Sequence, residues 1–299
     1  MIELPHGCRV AVIRLRSLGD CVLTTPALEI LKRARPDVRL AVVVEDRFRP
    51  LFEANPDIDL LLGPTARELR LWRPHLCLNL HGGSLSARLT AISGAQLRAG
   101  FAHYRWQSLY NIRIPRAQEI LGEERTVHTA EHLASAMFYL GAPRVEIPRA
   151  KLFAEASSAP RPYAVIHPVA SQPDKTWRAS GFLEAARFLS ESLDLEPVFI
   201  AASGDNLGPF HEYRTFAGAP LSEIKSLLRG ASLFLGNDSG PAHMAAAFGL
   251  PVVVIFGASN PAIWHPWRTT AAVIRNPAGI QSVTPHQVLD ALERTRVHA

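Results

Sequence analysis

The chain has 299 residues, 47% hydrophobic and 20% charged, enough apolar material for one large or two medium cores. It holds no uninterrupted apolar run of about 18 residues, which excludes a transmembrane helix, and its three cysteines, Cys8, Cys21 and Cys77, lack metal-ligand spacing. The net charge of +5 lies wholly in the first half: residues 1–150 carry 20 basic against 15 acidic side chains, and residues 151–299 carry 12 of each.

That asymmetry has two readings: a solvated basic surface, or a half that faces an acidic substrate or an anionic membrane. Nucleic acid is disfavoured, because the arginines are scattered and no basic run is interleaved with aromatics. Met1-Ile-Glu-Leu-Pro-His6 runs almost directly into a strand pattern, with no basic segment followed by an apolar one. A secretory signal is therefore not expected. An odd number of cysteines in that setting predicts reduced thiols and a cytoplasmic protein.

In chain order, strand-like and helix-like runs alternate, the signature of parallel α/β architecture. The first half predicts a strand over 9–15, a helix over 21–34, a strand over 38–44, a short helix over 49–55, and strands over 58–62 and 76–80. A helix over 84–93, a strand over 98–101 and a helix over 129–140 follow, the last stopped by Gly141 and Pro143. The stretch from Pro143 to Pro162, with Pro148 and Pro160 inside it, reads as an interdomain connection. The second half predicts strands over 163–167, 197–201, 233–235, 251–256 and 271–275. Its helices are expected over 182–192, 221–229, 242–248 and 285–296. Two α/β halves imply a cleft, and ligands of open parallel sheets sit beyond the carboxyl ends of strands, so four loops carry the search.

The first is Arg14-Leu-Arg-Ser-Leu-Gly-Asp20. Asp20 reads either as an ordinary helix N-cap or as a general base, with Arg14 and Arg16 keeping it ionised or holding an acidic substrate. Gly19 permits close approach to the backbone. The second is His167 to Trp177, where Lys175 and Ser171 suit a phosphate or simply face solvent. The third is Ala202-Ser-Gly-Asp205, whose aspartate reads as a ribose ligand or as a solvent-facing turn residue. The fourth is Gly236-Asn-Asp-Ser-Gly240, followed by Pro241 as a first helical residue. Ser239 and Gly240 offer backbone N–H groups to a pyrophosphate at a positive helix end. Asp238 orients the loop or meets a sugar hydroxyl. His243, one turn on, is a secondary candidate. Asp238 and His243 do not form a recognisable metal set, and no metal site is predicted. Gly-x-Gly-x-x-Gly after the first strand, Gly-x-x-x-x-Gly-Lys-Ser/Thr and Gly-x-Ser-x-Gly are all absent, which argues against a dinucleotide oxidoreductase, a P-loop enzyme and a serine hydrolase.

Taken in order, Ser17-Leu-Gly-Asp20 with Thr25-Pro-Ala-Leu28, His167-Pro with Lys175-x-Trp177, and Gly236-Asn-Asp-Ser-Gly-Pro-Ala-His243 resemble the bacterial heptosyltransferases, glycosyltransferase family 9. The resemblance spans nearly the whole chain. It implies a GT-B fold, two Rossmann-like domains with parallel sheets facing across a cleft. The domains are expected at 1–155 for the acceptor and 156–299 for the nucleotide sugar, with the last helix a candidate to pack back on the first. It also implies metal-independent, inverting transfer of a heptose from ADP-heptose to a lipopolysaccharide inner-core acceptor, with no cofactor. Under it, Asp20 is the base, while Ser171, Lys175, Asp238, Ser239, Gly240 and His243 bind the donor, and Asp205 the ribose. Arg14, Arg16, Ser17 and Gly19 meet an anionic glycolipid acceptor, with peripheral contact at the cytoplasmic face of the inner membrane. Arg178 stands where relatives often have proline, and their cysteine-containing insertion after Trp267 is missing. The rivals are a transferase for another nucleotide sugar, serving exopolysaccharide or glycoprotein synthesis, and a non-catalytic nucleotide-sugar-binding protein of the same fold.

Overall fold

A computed structural model describes residues 4–297; Met1–Glu3, part of the stretch read above for a targeting signal, lie outside it. The chain divides into two compact units, Met1–Lys151 and Leu152–Ala299, four residues earlier than the expected boundary.

The first unit holds β1 (Arg9–Ile13), α1 (Leu18–Ala34), β2 (Arg39–Val43), β3 (Leu60–Leu62), α2 (Ala66–Trp72), β4 (Leu76–Asn79), α3 (Ser84–Ile92), β5 (Leu97–Phe101), β6 (Ile112–Ile114), α4 (Ala117–Leu121) and α5 (Thr129–Tyr139). Its sheet runs β3-β2-β1-β4-β5-β6, every pair parallel. Parallel strands are covered on both faces and so read as unbroken apolar runs. Ala11, Ile13, Ala41, Val43 and Cys77 cluster with Leu69 of α2 and Leu89 of α3. The alternate residues Val10, Val12, Val42 and Leu78 point the other way and are equally buried. Four differences from expectation are small. Residues 46–51 form a 3-10 turn instead of a helix over 49–55. The short α2, β6 and α4 were not anticipated.

Helix α1 carries Pro26 in its interior. Proline has no N–H to give the carbonyl four residues back, which is that of Val22. The Thr25 hydroxyl donates to that carbonyl at 2.8 Å and accepts the Lys151 N–H at 2.9 Å. Lys151 Nζ also meets the buried Glu29 of α1 at 2.7 Å. The end of the first unit is thus fastened to α1.

The second unit holds β7 (Tyr163–His167), α6 (Ala179–Ser192), β8 (Glu196–Ala201), β9 (Arg214–Ala217), α7 (Leu221–Gly230), β10 (Leu233–Asn237), α8 (Gly240–Phe248), β11 (Val252–Phe256), α9 (Pro261–Trp264), β12 (Ala271–Arg275) and α10 (Pro285–Val297). Its order is β12-β11-β10-β7-β8-β9, again all parallel. Ile166, Phe199, Leu235 and Ile255 pack with Trp177, Phe182 of α6 and Leu292 of α10. Helix α10 packs on α6, β11 and β12. Edge strand β9 and the single turn α9 were not anticipated.

Numbered from its own first strand, each sheet has the order 3-2-1-4-5-6, the doubly wound arrangement. Its ligand crevice lies where strand order reverses, between strands one and four. Those switch points are β1/β4 in the first unit and β7/β10 in the second.

Candidate active site

At the first switch point, β1 is followed by Arg14 and the turn into α1. Ser17 is the helix N-cap, and Asp20 stands three residues on, so the expectation of Asp20 as N-cap is corrected by three positions. One Asp20 oxygen accepts the Ser17 hydroxyl at 2.9 Å and, more weakly, the Ser17 N–H at 3.4 Å, a capping box. The other lies 3.5 Å from Arg14 Nη1. The carboxylate remains 25% exposed. Arg14 is only 5% exposed and its guanidinium also donates to the Leu80 carbonyl beyond β4. Arg14 thus joins Asp20 to the loop beyond β4. Arg16, 60% exposed, stays open to an anion, with Glu45 at 4.0 Å. Gly19 is buried in the first turn of α1.

Residues not singled out in the sequence complete this face. Asn79, fully buried at the end of β4, accepts the N–H groups of His81 and Gly82 and donates to Ser86 and Tyr110. Gly82 has φ +80°, and a side chain there would collide with the Tyr104 ring. His81 Nδ1 lies 3.1 Å from the Arg16 carbonyl, which joins the β4 loop to the Asp20 loop. At the end of β5, Phe101 stacks on His132 at 4.0 Å, with His103 and Tyr104 alongside. Burial pushes His132 down to about 4 and the Tyr104 phenol well above its usual value.

The second switch point repeats the device. Asn237, fully buried at the end of β10, accepts the Trp177 N–H at 3.0 Å and donates to the Pro168 carbonyl at 2.9 Å. Two bonds from one amide thus tie the long loop after β7 to β10. Lys175 sits on a 3-10 turn, Pro173–Lys175, with Nζ 4.0 Å from Asp238. That turn rests against Gly257 at the end of β11, where a Cβ would fall 2.1 Å from the Asp174 carbonyl oxygen and 3.0 Å from Lys175 Cα. Ser239 is the extended N-cap of α8. Its hydroxyl meets His167 Nδ1 at 3.0 Å and makes no cap bond. Burial lowers His167 to about 4, so it stays neutral. Helix α8 begins at Gly240, which makes Pro241 its second residue; the expectation of Pro241 as first is corrected by one. Pro241 has no N–H and the Ala242 N–H goes to the Ser239 carbonyl at 3.2 Å, which leaves the Gly240 N–H at the positive end of the helix, a place suited to an anion.

The remaining candidates divide. Ser171 is exposed on the same loop as Lys175. Asp205 accepts the Ala202 N–H at 3.0 Å and shapes its own turn, and its charge reaches His167. His243 is 4% exposed, with its ring edge-on to Trp264.

Residues 65–287, well over half the chain, match glycosyltransferase family 9 (heptosyltransferase). The chain belongs to that family. It is 26% identical over 290 residues to lipopolysaccharide heptosyltransferase 3 of Escherichia coli, covering 85% of this chain and 84% of that one. A family 9 glycosyl transferase structure from Veillonella parvula superposes with a TM-score of 0.86 at 21% identity, over 98% of both chains. The structure of E. coli ADP-heptose lipopolysaccharide heptosyltransferase II gives 0.82 at 21% identity, over 97% of this chain and 99% of that one. The fold is GT-B, and the protein is a glycosyltransferase of the lipopolysaccharide heptosyltransferase family.

Proposed function

We propose that the protein moves a heptose from ADP-heptose to an inner-core lipopolysaccharide acceptor, inverting the anomeric centre without a metal in the chemical step. The observation that carries this reading is the division of labour between two switch points. One presents a quarter-exposed carboxylate held by Arg14 and Ser17; the other presents Lys175 near Asp238 and, two residues on from Asp238 in the same unit's loop after β10, a helix N-terminus.

The acceptor hydroxyl attacks the anomeric carbon as the bond from that carbon to the β-phosphate oxygen breaks. Its proton passes to Asp20, and ADP departs. Negative charge grows on the β-phosphate, where Lys175, Ser171 and the N–H groups of Ser239 and Gly240 stabilise it by fixed electrostatics. Asp238 lies close enough to Lys175 to orient it before the donor arrives. Asp205 is the nearest candidate for the ribose. Arg16, exposed beside the Asp20 loop, meets the charge of the acceptor. The acceptor is a glycolipid, met at the cytoplasmic face of the inner membrane.

The test is to incubate the protein, with EDTA present, with ADP-heptose and a heptose-deficient inner-core oligosaccharide. The expected result is ADP release matched by a product one heptose heavier with inverted configuration. Turnover with a UDP- or GDP-sugar and none with ADP-heptose would contradict the donor assignment. Donor binding with no turnover would point to a binding protein.

A further inference from the structure

Between Glu68 and Glu119 the chain carries seven arginines and neither a lysine nor a carboxylate. Glu68 itself turns inward, accepting from the Gly63 N–H at 2.6 Å and the Thr65 hydroxyl at 3.2 Å. This acid-free run builds the outward faces of α2 and α3. Helix α3 displays Leu85, Arg88 and Ile92, spaced three and four apart and so on one face. All three are exposed, Leu85 by 49% and Ile92 by 39%. Helix α2 displays Arg67, Arg70 and Leu71, the last 71% exposed. The helices pack side by side, and Arg70 Nε donates to the Ile92 carbonyl at 2.9 Å, which makes their faces one surface. A lone exposed leucine needs no explanation. Three large aliphatic side chains among three guanidiniums, with the one acid between them, Glu68, tied up at the start of α2, do.

We propose that the α2–α3 face is a docking surface for an anionic lipid bilayer. The three aliphatic side chains enter the boundary between headgroups and acyl chains, as those of interfacial helices do. The arginine stems lie along that boundary while their guanidiniums reach lipid phosphates. The aliphatic centre favours lipid over nucleic acid, whose backbone would leave those side chains in water. The surface also adjoins the first switch point. Ser86 of α3 receives the Asn79 amide, Asn79 holds the His81 N–H, and His81 reaches the Arg16 carbonyl in the loop that carries Asp20. Docking here brings the carboxylate close to the membrane surface, where a lipid-borne sugar is found. This purpose rests on the glycolipid reading above; the binding itself does not.

The test is flotation of the full chain, with no sugar donor, on vesicles of phosphatidylcholine alone and of phosphatidylcholine mixed with phosphatidylglycerol. The account expects association with the mixed vesicles only, weakening as salt rises. Arg67→Gln with Arg88→Gln weakens it roughly 30-fold, at about fivefold for each basic residue near an anionic surface. Leu71→Ser with Ile92→Ser weakens it at least about tenfold. Circular dichroism and the thermal midpoint report that each variant remains folded. Equal association with both vesicle types, or association unchanged in both double variants, overturns the proposal, as does tighter binding to a short DNA duplex than to the mixed vesicles. Loss of transfer with vesicle binding intact would count against the proposed reaction alone.

Discussion

Replacing Gly257 by alanine adds one methyl group and touches no group with a chemical role. Its consequence is nevertheless set by the structure. The new Cβ would lie 2.1 Å from the Asp174 carbonyl oxygen. A relaxed carbon–oxygen contact is about 3.3 Å, so the Pro173–Lys175 turn must retreat by about 1.2 Å. The obstacle is backbone, which cannot swing aside as a side chain can. The turn is also held from behind, since Asn237 fixes the Trp177 N–H and the Trp177 ring closes over Gly181. Overpacking of this kind costs about 1–3 kcal/mol in stability. The larger effect falls on Lys175, because a misplacement of about 1 Å in a positioned charge can cost about 10²-fold in rate. We therefore expect Gly257→Ala to remain folded in urea titrations, to lower kcat/KM for the donor about 10²-fold, and to weaken ADP binding by isothermal titration. Wild-type turnover together with wild-type ADP affinity would refute the reasoning that the position of Lys175 governs leaving-group stabilisation.

Lys175→Ala removes a charge-assisted contact of about 1.5–3 kcal/mol and should weaken ADP binding about 10- to 100-fold, read by the same titration; unchanged affinity removes Lys175 from the site. Asn237→Leu leaves the Trp177 N–H and the Pro168 carbonyl without partners in a buried place, at about 2–5 kcal/mol, so the urea midpoint should fall and ADP binding with it. His132 and His167 have folded-state values near 4 against an ordinary 6.5. Above pH 6.5 both states are neutral and nothing changes. As the pH falls from 6.5 toward 4, the unfolded chain takes up protons that the folded one refuses, and stability declines. Urea titrations at pH 7 and pH 5 should show this loss, and His167→Gln should reduce it; an identical midpoint at both pH values would contradict it.

The buried strands were legible because parallel strands covered on both faces must be apolar throughout, as in Val10–Ile13 and Val252–Phe256. Edge strands escaped for the opposite reason. Arg214–Ala217 pairs on one side only and keeps its side chains largely in solvent, so it bears no apolar mark. Asp20 and Lys175 were visible through motif spacing, yet the fate of Arg14 was not. Burial of a guanidinium depends on the Leu80 carbonyl, 66 residues away. Asn79 and Asn237 did leave a signal that went unused: each is the lone amide that closes an otherwise apolar strand, at the same place in each sheet. Gly257 left none, since its role appears only when β11 is laid against the Lys175 turn.

Transfer depends most directly on the Asp20 carboxylate, and Asp20→Asn isolates it. The amide keeps the size of the group and an oxygen for the Ser17 hydroxyl, but it cannot take a proton. With ADP-heptose and an inner-core acceptor, kcat is expected to fall about 10²- to 10⁴-fold while ADP affinity stays at the wild-type value. Turnover at the wild-type rate would reduce Asp20 to a capping residue and contradict the assignment of the base.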